Sequence, residues 1–449
     1  MNTDLTEGSI TKSMIIFALP LIFGNMLQQL YNVVDTYIVG QFLGASSLAG
    51  VGASYSIVTF ITSLILGLCM GAGVLFSMLF GAKKYHEMKN SFFVSFIFIG
   101  IVSLVIMFLS LMFIDPLLNF MNIPENIYKL TKDYLIVIFW GIFFTFLYNY
   151  FASLLRALGD SKTPLLFLGV STICNIVLDI LFVLYVSKDV RSVAYATVIS
   201  QAISAISMII YSFYKKHEYI PQKDNIYFDK AIFNKFISYS LLTCIQQSVM
   251  NFGIMLVQGI VNSFGVDVIA GFSTAVKIDT FAYMPVQDFG NAFSTFIAQN
   301  SGAKKEDRVK KGLTTATMIS IIFCILISIV IFMFAGELMM IFLKAKEVKA
   351  INVGIQYLRI EGACYIGIGI LFLWYGFYRG IGKPFISVVL TVISLGVRVV
   401  LSYTLSQVPS IGVLGIWWSI PIGWFLADMT GLIYYRYKIA SHKSLSFFS

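Results

Sequence analysis

Residues 48–84 read LAGVGASYSIVTFITSLILGLCMGAGVLFSMLFGAKK, a run without a charged side chain from Leu48 to Ala82 that closes on two lysines. Crossing a hydrocarbon core takes a helix of roughly 20 apolar residues, which this run exceeds. Its landmarks return 221 residues later. Ala49–Gly50 superposes on Ala270–Gly271, Ile57 on Ile278, Thr59–Phe60 on Thr280–Phe281, and Gly81-Ala82-Lys83-Lys84 on Gly302-Ala303-Lys304-Lys305, with Gly44 on Gly265 ahead of them. A shift of 223 then places Arg156 on Arg379 and Gly159 on Gly382. One register held over so many positions marks an internal duplication.

The rest of the chain matches this opening. Of 449 residues, 58% are hydrophobic and only 12% charged, with a mean hydropathy of +0.85. A soluble domain carries roughly 25% charge, so this is a membrane protein. At roughly 20 residues per span the apolar share amounts to about twelve helices. Apolar runs lie near 14–35, 48–78, 92–114, 130–153, 164–186 and 192–214, and again near 236–257, 268–298, 313–334, 350–378, 384–404 and 412–435. The expected fold is an all-α integral membrane protein of twelve transmembrane helices in two six-helix lobes. With six spans per copy, corresponding helices enter from the same side, so the lobes are related by a pseudo-two-fold axis along the membrane normal. The sequence places the N-terminal lobe at 1–214, a cytoplasmic linker loop at 215–235 with five lysines and Pro221, and the C-terminal lobe at 236–449. The polar start and Pro20, with no small-residue cleavage site, argue against a removable signal.

The net charge of +9 does not point to nucleic acid, because the basic residues lie in short loops where they set orientation. With the N-terminus inside, 21 Lys and Arg, from Lys12 to Lys443, face the cytoplasm and seven face outward. That bias predicts a multi-pass protein of the cytoplasmic membrane with both termini inside. Cys69, Cys174, Cys244, Cys324 and Cys364 all lie in apolar segments without metal-ligand spacing. His86, His217 and His442 lie in polar loops or the tail, so nothing resembles a catalytic constellation. The chain is expected not to be an enzyme and to carry no cofactor beyond a coupling ion.

A charge near mid-bilayer costs roughly 2.5–3.5 kcal/mol even on the lenient scale, so each one within a span is a functional candidate. The first span carries Asn25, Gln28, Asn32 and Asp35 on one helical face. The fifth carries Asn175 and Asp179 one turn apart, and the sixth opens on Thr197 with Gln201 a turn further on. All come from the first lobe, and Asp35, Asp179 and Thr197 fall in its outer part. Two carboxylates with an amide and a hydroxyl supply the oxygens a Na⁺ needs, and a close carboxylate pair is equally suited to carrying H⁺. The repeat sharpens the expectation: Asp35 corresponds to Leu256, Asn175 to Arg398, Asp179 to Ser402 and Thr197 to Ile420, so the second lobe lacks the set. Pro20 removes a backbone donor fifteen residues before Asp35 and is a candidate hinge. In the second lobe Lys277 with Asp279, and Arg359 with Glu361, are expected to be internally paired charges. Glu361 is the functional exception there, with Arg398 as its candidate partner. Gln28, Asn32, Gln201, Gln246, Glu361 and Arg398 are candidates for lining a substrate cavity.

Several stretches resemble the multidrug and toxic compound extrusion (MATE) transporters over nearly the whole chain. These are Ala18-Leu19-Pro20, Asp35 before Tyr37-Ile38-Val39-Gly40, Arg156-Ala157-Leu158-Gly159-Asp160 with Lys162-Thr163-Pro164, Asn175 through Asp179, and Asn300-Ser301-Gly302-Ala303. The first-lobe acids resemble the bacterial branch that couples through its N-terminal lobe. The resemblance implies that Asp35, Asn175, Asp179 and Thr197 bind Na⁺ or H⁺ and that Pro20 lies where the first helix bends. It further implies a cation-coupled antiporter, expected to act as a monomer in the lipid bilayer, that exports bulky, often cationic organic compounds and drugs by alternating access. The alternative is a flippase of a lipid-linked precursor from the related superfamily. That would call for a basic cavity, whereas the deep cations here are Lys277, Arg359 and Arg398, outnumbered by acids.

Overall fold

The computed structural model describes residues 4–121 and 123–440, so Lys443 and His442 lie outside it. Among the described residues every regular element is helical. The first repeat comprises α1 (Ile10–Ile38), α2 (Ala45–Gly81), α3 (Tyr85–Met112), the short α4 (Ile114–Phe120), α5 (Glu125–Trp140), α6 (Ile142–Ala157), α7 (Lys162–Leu181) and α8 (Val190–Lys215). The second comprises α9 (Lys230–Asn262), α10 (Val266–Gly302), α11 (Glu306–Phe342), α12 (Val348–Ala363), α13 (Tyr365–Gly380), α14 (Pro384–Ser406) and α15 (Leu414–Tyr434).

Nine of these elements are long and apolar enough to cross a membrane singly, and α5 with α6 and α12 with α13 form two more spans as bent pairs. The remaining long helix is α10, to which the twelve-span expectation assigns the last span. It carries Lys277, Asp279, Asp288 and Pro285, which dilute its apolar character. Most of its length is nonetheless buried, so neighbouring helices rather than lipid solvate it.

The duplication is visible in the backbone. Gly44 and Gly265 precede α2 and α10 at φ +84° and +92°, a region that favours glycine. Gly159 and Gly382 follow α6 and α13 at +80° and +77°. Lys83 and Lys304 occupy the same left-handed region at φ 56° and 57°, on the turns that end α2 and α10. The spans expected to be continuous at 130–153 and 350–378 are instead bent, by 44° and 55°. At each bend an amide reaches back only three residues, Gly141 to Ile138 O at 2.9 Å and Cys364 to Glu361 O at 2.8 Å, which tightens the helix locally.

Packing divides the chain into two compact units, one of Phe23–Cys244 and one of Leu5–Ile22 together with the chain from Ile245 onward. These bounds differ from 1–214 and 236–449, because the changeovers fall inside α1 and α9. The physical reason lies in the buried side chains. Leu5, Met14, Phe17 and Ala18 belong to the same apolar core as Phe272, Phe293 and Phe296, whereas Phe236 and Cys244 belong to the core of Ile65, Phe92 and Tyr150.

Candidate functional site

In the first unit α1, α7 and α8 bring together the residues singled out by their polar spacing. Asp35 is 8% exposed, Asn175 1%, Asp179 0% and Thr197 5%. Thr197 is the hub of the local hydrogen bonding. Its hydroxyl donates to Val193 O at 3.0 Å and accepts from the Tyr31 hydroxyl at 3.1 Å and from Asn175 Nδ2 at 3.4 Å. Its donor and both lone pairs are therefore engaged, so it acts here by orienting the Asn175 amide. With Nδ2 committed to Thr197, Asn175 Oδ1 is left free.

Four oxygens result with no protein donor: Asp35 Oδ1, Asn175 Oδ1 and both carboxyl oxygens of Asp179. The two carboxyl groups interact directly with each other, and both act on Tyr31 and Tyr134 beside them. Two buried carboxylates in contact, without a cation or a shared proton, would carry a desolvation penalty of several kcal/mol per charge. The arrangement thus fits a hard monovalent cation or a proton, by the chemistry of its oxygens. Among the described residues no group of three or more His, Cys, Asp or Glu forms a conventional metal cluster. Beside the acids, Ile38 at the end of α1, Val39 and Val183 in the turns that follow α1 and α7, and Val193 of α8 pack into a small apolar cluster. Burial of this kind keeps the local dielectric low and strengthens electrostatic interactions at the site.

Sequence spacing left Tyr31 and Tyr134 unmentioned. Tyr31 lies one turn before Asp35 on the same face, a position that polar periodicity could have flagged. Tyr134 comes from α5, and nothing in its spacing connects it to Asp35. Of the other residues in the first unit, Gln28 is exposed. Asn32 donates to Gln29 Oε1 at 3.2 Å, and Gln201 Oε1 accepts from the Thr145 hydroxyl at 3.2 Å. Pro20 is buried within α1, two residues before the helix changes unit.

The MatE family model matches the chain twice, over residues 20–181 and 243–404, one match in each repeat. The chain belongs to the MatE family. Among its relatives is the probable multidrug resistance protein YpnP of Bacillus subtilis (strain 168), 30% identical over 97% of this chain and 96% of that protein. The probable multidrug resistance protein NorM of Thermotoga maritima is 25% identical over 91% and 88%. The fold is shared with a solved outward-facing conformation of a multidrug resistance MATE family transporter of the MOP superfamily, with a TM-score of 0.92, 23% identity and 99% of each chain covered. MatE proteins are transporters and not enzymes.

This MatE chain also buries acids in its second unit, and their partners differ from those expected. Lys277 and Arg359 are exposed, and neither Asp279 nor Glu361 forms an ion pair among the described residues. The side chains of Lys277 and Asp279, two residues apart on a helix, point to different faces, as do those of Arg359 and Glu361. Asp279, 4% exposed, accepts instead from the Tyr365 hydroxyl at 2.6 Å and from that of Tyr357 at 3.4 Å. Glu361, 1% exposed, interacts with Asp279 and Tyr357, and Arg398 acts electrostatically on both acids. Glu361 Oε1 and Arg398 Nε have no hydrogen-bond partner, and neither does the buried Gln246 Oε1.

Proposed function

We propose that this chain is a cation-coupled antiporter that exports bulky, often cationic organic compounds by alternating access, driven by Na⁺ or H⁺ entering from outside to Asp35 and Asp179. The observation that carries the proposal is the set of four buried oxygens without donors in the first unit. Binding a cation there neutralises a carboxylate pair that is costly when bare. If the cation binds more tightly in one conformation, that difference in affinity is what drives the cycle. Asp35, Asp179 and Asn175 would hold the ion, Thr197 and Tyr31 would orient them, and Pro20 would let α1 bend.

The names of the relatives, multidrug resistance proteins over nearly their whole length, support organic compounds as cargo. The distribution of Lys and Arg supports cytoplasmic termini in the cell membrane. A lipid-linked precursor flippase lacks comparable support, since among the deep cations Lys277 and Arg359 are exposed and Arg398 lies beside two acids. The test is dye export from proteoliposomes under separately imposed Na⁺ and pH gradients. Export by the native chain should respond to at least one gradient, and Asp35→Asn and Asp179→Asn should abolish that response. Native export in both variants overturns the proposal.

A further inference from the structure

Both units bind the segment that precedes the first helix of a repeat, and they do so reciprocally. In the second unit the main-chain carbonyls of residues 5–8 are gripped in succession. Asn300 Nδ2 donates to Leu5 O at 3.0 Å, and Lys305 Nζ to Thr6 O at 2.8 Å. Arg308 donates to Leu5 O through Nη2 at 3.1 Å, to Glu7 O at 2.6 Å and to Gly8 O at 2.7 Å. The guanidinium also lies over the Phe296 ring at 5.6 Å, and Leu5 is fully buried. In the first unit the corresponding grip is made by one neutral side chain. Asn90 Nδ2 donates to Asn225 O at 3.0 Å and to Tyr227 O at 2.7 Å. The shift of 221 places residues 5–8 on 226–229, so the two gripped segments, 5–8 and 225–227, overlap in the repeat.

These grips fall where the chain changes unit. The half of α1 up to Ile22 belongs to the second unit and the half of α9 up to Cys244 to the first, so each helix is held at its start by one unit and beyond that by the other. The first half of α9 lies tight against α2 further along: the Ser240 hydroxyl donates to Leu68 O at 3.0 Å, and a Cβ on Gly67 would lie 2.5 Å from Cys244 Cα. The α1 start meets α11 through side chains, since a Cβ on Gly312 would face Met14 Cε at 3.2 Å. A transporter that alternates its access must part its inner side once per cycle, and a helix shared in this way must then either bend or let go of one unit.

The geometry points to residues 5–8 as a strap that Arg308 releases and recaptures in each transport cycle, while the first half of α9 stays packed against α2. Side-chain bonds to carbonyls break and reform without unfolding any helix, which suits a repeatedly opened contact. Arg308 is a positioning residue: it sets how often the start of α1 lets go. This inference rests on the chain being a transporter and is independent of which ion drives it.

The experiment places nitroxide labels at the exposed Glu7 and Asp307, in a chain whose five cysteines are replaced, and reads their separation in proteoliposomes at rest and during dye export. The native chain should show one short separation at rest and a second, longer one during export. Arg308→Ala should raise the long population at rest about tenfold and slow export, since several charge-assisted bonds are lost. Arg308→Lys, which keeps the charge and fewer bonds, should fall between the two and guards against simple misfolding. A separation that stays short while export proceeds overturns the strap, as does native export by Arg308→Ala with unchanged separation. Failure of the coupling proposal looks different, as export indifferent to both gradients.

Discussion

The first unit buries Asp35 and Asp179 among two tyrosines, a threonine and an amide, while the second buries Asp279 and Glu361 among two tyrosines and the guanidinium of Arg398. The acids are equally inaccessible, yet the means of neutralising them differ. In the second unit a resident cation lies beside the pair and Tyr365 donates to one carboxylate at 2.6 Å. In the first the Tyr31 hydroxyl is spent on Thr197, and both oxygens of Asp179 are without a donor. A buried charge that the fold does not compensate has to be compensated by something mobile. The second unit carries its counter-charge on a side chain of its own, and the first unit's acids have none beside them, which is the arrangement the proposed coupling ion requires.

The sharpest way to break this comparison is to neutralise one acid in each unit. Asp179→Asn should lower gradient-driven export about a hundredfold, because losing the differential affinity for the ion removes the population shift that drives the cycle. Glu361→Gln should leave the response to the gradient in place. The measurement is initial export rate against imposed Na⁺ and pH gradients in proteoliposomes. Should Glu361→Gln lose the response and Asp179→Asn keep it, the roles of the two units are reversed.

A second contrast concerns packing. In the second unit α10 and α13 touch backbone to backbone, with a Cβ on Gly376 falling on Gly290 O and one on Gly380 lying 2.7 Å from Ile297 Cβ. The matching contact in the first unit is looser, since a Cβ on Gly73 would meet Ser153 Cβ at 3.2 Å. Gly376→Ala should therefore cost about 2 kcal/mol, in the range of overpacked cores, and Gly73→Ala less than half of that. Thermal unfolding of the purified chains checks both. Equal losses would mean that the two interfaces yield equally.

How far the sequence reaches is set by the same physics. The spans were legible because a membrane demands long apolar runs, and the repeat was legible because Gly44 and Gly265 must adopt a positive φ that few other residues tolerate. The bends at Gly141 and Cys364 were not, since a turn tightened by one amide leaves no periodic trace. The first-unit acids could be grouped because they sit on helical faces at regular spacing. The exchange of α1 and α9 between units was hidden, because Met14, Phe17 and Ala18 are equally good core residues whichever core receives them. In the second unit, charges close in the chain misled. Asp279 pairs with Tyr365, 86 residues away, and no local pattern announces such a contact.

The smallest expected effect separates positioning from ion binding at the two tyrosines. Tyr31→Phe removes the donor to Thr197 and a hydroxyl that interacts with Asp35 while keeping both carboxyl groups, so it should loosen the site rather than abolish it. A single neutral hydrogen bond is worth about 1 kcal/mol, which corresponds to a roughly fivefold higher half-saturating cation concentration with the maximal export rate retained. Tyr365→Phe strips the 2.6 Å bond from Asp279 and should lower the unfolding temperature while leaving the cation dependence of export unchanged. The pair is read by titrating Na⁺ and H⁺ against export rate alongside thermal unfolding of each variant. A shift in cation dependence at Tyr365, or none at Tyr31, would mean that the second unit's acids also exchange their counter-charge during transport.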